Sequence, residues 1–346
     1  MTRSQLLAQI DALLAEQEPR IRAAFWQAVY DARATVALDD VIAALERGDL
    51  YAAADLLQID RMLLAPLDQV IQASYIASGN LAMDALIATA PRALRVVARF
   101  DAGHPEAAQW LRTHSSALVT EIVADQREGI RAALAAGMES GRHPRGVALD
   151  VVGRYDRVSK RRVGGMLGLT SGQMRYVENA RAELLSGDPA LMREYLGRQR
   201  RDKRFDAIVR RAIREGKPVS AVDVEKMLGR YKDRLLALRG EMIARTESLT
   251  AFSDSQWASI RQLVDSGKVR EDQVTKVWSA TMDARTRDTH RALNGHRVGL
   301  NEAFVSPLTG ARMLYPRDVS QGAPGSETIA CRCFCQFRVD FLGGVG

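Results

Sequence analysis

Through the first 138 residues apolar side chains recur at three- and four-residue spacing, the signature of a helix face. In IRAAFWQAVYDA the set Ile21, Phe25, Ala28 and Val29 falls on one side. ALDDVIAALERGDLYAAADLL reads as two helices, with Gly48 stopping the first and Asp49 capping the second. Pro105 suits a first helical turn. After it Trp110, Leu111, Leu118, Ile122 and Ile130 keep one face in a long helix ending near Gly137. MESGRHPRGVALD then clusters Gly, Pro, Ser and basic residues, and a boundary is expected near 140–146.

The middle of the chain keeps the helical period. RVGGMLGLTSGQMRYVENARAELL reads as helix, tight turn, helix, with Thr170 or Ser171 as cap and Met174 and Val177 on the apolar face. Ser220 is placed to cap a further helix from Ala221. The period changes in the last hundred residues. VTKVWSATMD reads as a strand, Asn294-Gly295 as a hairpin turn, and 305–330 as loop-rich. In IACRCFCQFRVDF, Ile329, Cys331, Cys333, Cys335, Phe337 and Val339 alternate with Arg332, Phe334, Gln336, Arg338 and Asp340, as in a half-buried strand with Arg332 facing outward. The expected fold is mainly α: long helical N-terminal and middle regions followed by a small α+β C-terminal module.

Charge divides the chain in the same places. Residues 1–138 carry 12 basic and 17 acidic side chains, net −5; residues 139–240 carry 24 and 13, net +11; residues 241–346 carry 13 and 12, net +1. Three regions are therefore expected: an acidic helical 1–140, a basic helical 146–240 and a C-terminal module over 241–346. The middle region is where a polyanion or an acidic partner would dock. No apolar run reaches the 18 residues of a membrane helix, so no membrane association is expected. Acids interrupt the apolar pattern of the first twenty residues, which suits an amphipathic helix and not a secretory leader. Three cysteines within five residues cannot tie distant parts of a fold together, which agrees with a reducing compartment.

Four constellations offer chemistry. Cys331 and Cys333, with His290 and Asp283, make a candidate structural zinc set, although paired CxxC spacings are absent; the plainer reading is a cysteine-filled strand core. Asp283, His290 and Cys331 would serve a metal-dependent hydrolase or an ADP-ribosyl or nucleotidyl transferase. Arg198, Arg200, Arg201, Lys203, Arg204, Arg210, Arg211, Arg214 and Lys217 form a basic run beside a helical apolar stripe, fit for phosphates or an acidic protein surface. Residues 163–180 raise a helix-turn-helix DNA reader, against which stands the commoner helical hairpin. Walker and dinucleotide-binding patterns are absent.

The order of the C-terminal pieces resembles a known family. IARTE on a helix, then VWSATMDARTRDTHRALNG, a proline-bearing loop and CRC in a final strand are similar to the phage Mu F-like minor head proteins, also called phage head morphogenesis proteins. Arg245, Thr246 and Glu247 match the first motif. Asp283, Arg285, Thr286, Arg287, His290 and Gly295 match the second, and Cys331, Arg332 and Cys333 the third. Cys335 is an addition to the pattern. The resemblance implies a non-enzymatic virion component acting at the portal vertex, with portal protein as partner and packaged double-stranded DNA and other head or scaffold proteins as further contacts. It places the chain in the virion head, and in the host cytoplasm during assembly. No cofactor is expected from it beyond the zinc reading above.

Overall fold

Local propensity and capping account for the succession of elements. The computed structural model describes residues 3–91 and 97–341. Helices α1 (Arg3–Thr35), α2 (Leu38–Glu46), α3 (Leu50–Asp55), α4 (Ala65–Ile87), α5 (Pro105–Glu139) and α6 (Pro144–Val152) come first. Gly48, at φ +74°, ends α2, and the Asp49 carboxylate accepts the Ala52 N–H at 2.9 Å to open α3. Strands β1 (Arg154–Asp156) and β2 (Arg161–Val163) pair as an antiparallel hairpin. Helices α7 (Ser171–Leu185), α8 (Pro189–Gly197), α9 (Asp206–Glu215) and α10 (Ala221–Asp265) follow. Thr170 caps α7 in a reciprocal arrangement with Gln173, and Ser220 caps α10 through Asp223. The remainder is β3 (Val274–Ser279), α11 (Asp288–Leu293), β4 (Arg297–Gly299), β5 (Phe304–Val305), β6 (Arg312–Met313), α12 (Gly325–Thr328) and β7 (Phe334–Val339). The protein is mainly α with a small α+β C-terminal part, as the periodicities predict.

The chain divides into two compact units, each assembled from segments that are not consecutive. One comprises Ala23–Leu67 and Ala117–Glu241. Its core takes Phe25 and Val29 from α1, Val41 and Leu45 from α2, Val147 and Val151 from α6, and Val177 and Leu184 from α7, all at 1% exposure or less. Asp150 is buried inside it and accepts from Lys232 at 2.9 Å and from Arg181 and Arg142. Residues on both sides of 140–143 belong to this unit. The Gly, Ser and Pro there build a tight turn from α5 into α6, with His143 as the cap.

The segment before α7 is not a helix. Gly164 and Gly168 hold φ of +67° and +94°, outside helical space, and a side chain at Gly168 would collide with Val29. The buried Arg33 guanidinium donates to the carbonyls of Arg162, Gly165 and Leu167, using backbone acceptors that a helix would need. The helix-turn-helix reading of 163–180 therefore lacks its first helix.

The other unit comprises Met1–Arg22, Asp68–Ser116 and Met242–Gly346. A three-stranded antiparallel sheet in the order β4-β3-β7 sets its register, with Trp278 opposite Cys335 and Val277 opposite Arg297. β5 and β6 form a separate antiparallel pair. Trp278, Leu293, Phe304, Met313 and the three cysteines make one core cluster. A second cluster joins Met83 and Leu86 of α4 to Trp257, Ile260 and Leu263 of α10.

Two expectations change here. Asn294-Gly295 does not turn a two-residue hairpin. Between β3 and its partner β4 the chain makes α11, and Gly295, at φ +84°, ends that helix by donating its N–H to the Trp278 carbonyl at 2.8 Å. The final strand begins at Phe334 and not at Ile329. Ile329 is half exposed and Ala330 takes φ +53°, so the strand expected from 329 starts only past Cys333, with Phe334 and Cys335 both buried. Among the described residues no helix is long and apolar enough to cross a membrane.

Candidate functional site

The motif residues that lie far apart in the sequence meet around residues 329–333. Thr246, on α10, accepts the Ala330 N–H at 3.3 Å. Arg287, just before α11, donates to the Ile329 carbonyl at 2.5 Å. Thr281 donates to the Arg332 carbonyl at 2.9 Å. Arg317 is buried, takes φ +76°, and donates from one nitrogen to the carbonyls of Cys331 at 2.6 Å and Cys333 at 2.9 Å. Its other terminal nitrogen reaches the Ser253 hydroxyl. These contacts take up the backbone groups that a strand ladder would have used, which explains why β7 starts late.

Side chains complete the arrangement. The backbone turn at 283–286 is closed by Thr286, which donates to the Thr281 carbonyl. It presents Asp283 to Arg332, which grips the carboxylate with both terminal nitrogens. Arg332 is thus only partly turned to solvent. Arg285 stays largely exposed beside the same carboxylate, its guanidinium 3.9 Å away. His290 is carried inward by the short helix α11 and packs edge-on to Trp278, with centroids 5.3 Å apart. Its Nδ1 lies 3.5 Å from the Sγ of Cys331 and 3.5 Å from the Sγ of Cys333. Its Nε2 lies 2.9 Å from a carboxylate oxygen of Glu327 on α12. Glu327 is itself held by the hydroxyls of Thr289 at 2.9 Å and Thr309 at 2.8 Å.

The expected four-residue metal set is therefore brought together in part. His290, Cys331 and Cys333 converge; Asp283 is taken by Arg332. Cys335 is also apart, packed in the core at its β3 pairing position, where burial pushes its thiol up to about 12. Burial also raises the Cys331 thiol, but hydrogen bonds from Cys333 and His290 and the nearby Arg317 charge outweigh it and favour the thiolate. Cys333, sharing a proton with that thiolate, is pushed up.

The first motif splits its work. Arg245 pairs with Glu18 at 3.4 Å on the wall of a cavity of about 330 Å³ that also touches Phe252, Arg285 and Cys333. Glu247 is buried and contacts His114 Nε2 at 2.8 Å. Glu327 and Arg317 were not singled out from the sequence. Each lies in a loop-like stretch whose local pattern carries no signal, and only its burial distinguishes it.

The basic run is resolved into two groups. Arg198 pairs with Glu183 at 2.5 Å and Arg201 with Asp206 at 2.9 Å, which ties the segment after α8 to α7 and to α9, while Arg204 pairs locally with Asp202 at 2.6 Å. Arg210 lies 3.6 Å from Asp206. Arg200, Lys203, Arg211, Arg214 and Lys217 are exposed. On α9 the buried Val209 and Ala212 leave Arg210, Arg211 and Arg214 outside.

Comparison with known proteins bears on the same stretch. No curated protein and no solved structure matches the chain. A family model described as phage Mu protein F like protein matches residues 203–336, which run from the start of the α9 region to within β7 and contain all three motifs. Over residues 203–336 this chain is thus similar to the phage Mu protein F like family.

Proposed function

We propose that the chain is a phage or prophage head morphogenesis protein, a minor head component that docks on portal protein and contacts packaged DNA. The observation that carries this reading is the use made of the motif residues. Thr246, Thr281, Asp283, Arg287 and His290 all hold residues 329–333 in place. Such a network builds a rigid part; an enzyme would leave a carboxylate or imidazole facing a substrate cavity. The family match supports the head-protein reading. Arg200, Lys203, Arg211, Arg214 and Lys217 give the partner surface: exposed cations on one stretch that suit phosphates or an acidic protein face.

The test is co-purification of the full chain with the portal protein of the same phage, and DNA binding across a salt series. A triple change, Arg211→Glu, Arg214→Glu and Lys217→Glu, is expected to weaken DNA binding whatever the sequence and to reduce the salt slope by about three. Heads and proheads that both lack the chain would sink the proposal.

A further inference from the structure

We propose that His290, Cys331 and Cys333 bind one thiophilic divalent cation, zinc in the cell. The first support is metric. Nδ1 of His290 is 3.5 Å from each sulfur, and the three donor atoms lie within 4.8 Å of one another. Tetrahedral zinc with Zn–S near 2.3 Å and Zn–N near 2.0–2.1 Å requires a sulfur–nitrogen separation of about 3.5 Å. One imidazole lone pair satisfies one thiol at a time, so two equidistant sulfurs fit a shared central ion better than a hydrogen-bonded pair.

The second support lies on the far side of the ring. Glu327, 2% exposed, sits at Nε2, and two threonine hydroxyls fix its carboxylate. A carboxylate beside Nε2 leaves Nδ1 facing the sulfurs, the placement that orients histidine ligands of metals. The ligands are 1–2% exposed, so charge placed on the sulfurs would need a cation in their midst. Arg317 brings one positive charge close through the cysteine carbonyls, and a divalent ion seated between the sulfurs would supply the rest. The site would tie α11 to the segment before β7, 41 residues further along, and close that loop in the folded state only.

The experiment uses the full chain. Purified from zinc-supplemented medium without chelator, it is expected to carry stoichiometric zinc by mass spectrometry. Exchange into cobalt is expected to give a thiolate-to-cobalt charge-transfer band. Cys331→Ser and Cys333→Ser remove that band, while Cys335→Ser and Asp283→Asn keep it. If the serine variants do not fold, the wild-type cobalt spectrum decides alone. Absence of zinc together with absence of the band overturns the proposal, as does a band that survives loss of both cysteines or disappears in Cys335→Ser.

Discussion

Arg332 holds Asp283 through both ends of its guanidinium, Nη2 to Oδ1 at 2.5 Å and Nη1 to Oδ2 at 2.7 Å. The hydrogen bonds from Arg332 hold the carboxyl well below its usual range. The pair joins the turn after β3 to the segment before β7, and it takes Asp283 out of the histidine–cysteine group. Asp283→Asn is expected to lower the melting temperature slightly, because the carboxylate is partly solvated, and to leave metal content unchanged. Thermal unfolding and metal analysis on one sample check both halves.

Arg317 matters more. It is buried and satisfies two cysteine carbonyls and a serine hydroxyl. Arg317→Met is expected to destabilise the protein by about 3 kcal/mol or more, since the carbonyls it served are left buried without donors. Urea unfolding measures this; a midpoint equal to wild type would refute it.

Asp254 gives a pH dependence of known sign. Burial pushes its carboxyl up to about 6, against hydrogen bonds from Trp110 and Tyr315. The native state therefore holds this proton over a range where the unfolded chain has released it. The stabilisation is full below the unfolded value and is lost as pH rises through about 6. Asp254→Asn is expected to flatten stability between pH 4 and 7, removing at most about 3 kcal/mol of slope. Denaturation at several pH values tests it.

Asp150 predicts the opposite slope in the other unit. Burial raises its carboxyl, but the charges of Lys232, Arg181 and Arg142 outweigh this and hold it below the ordinary range. Its contribution is present above the unfolded carboxylate value and is lost as pH falls through the folded one. Asp150→Ala leaves the buried Lys232 without its carboxylate, while Arg181 keeps Glu225 and Arg142 keeps Glu178, and is expected to cost about 3–5 kcal/mol. An unfolding midpoint within error of wild type would show that the cations find other partners.

The helices were legible where their signals are local. Asp49, Thr170, Ser220 and Pro105 each start the helix their chemistry suggests, because a cap acts within three residues. Asn294-Gly295 misled because a left-handed glycine serves a hairpin and a helix stop equally well. The alternation of ACRCFC misled for a different reason. Period two shows which faces a strand would have, yet Thr246, Arg287 and Arg317 claim the backbone of 329–333 from 84, 42 and at most 16 residues away.

The sequence by itself determined the helical character, the caps, the basic surface of α9 and the family-bearing motifs, since periodicity and residue chemistry act over a few positions. Only the tertiary structure decided that His290 meets Cys331 and Cys333 without Asp283, that Glu327 backs the imidazole, and that each compact unit draws on separated segments. Contacts closed over long loops depend on which buried charges find partners and which backbone groups find donors. Neighbouring residues do not encode that choice.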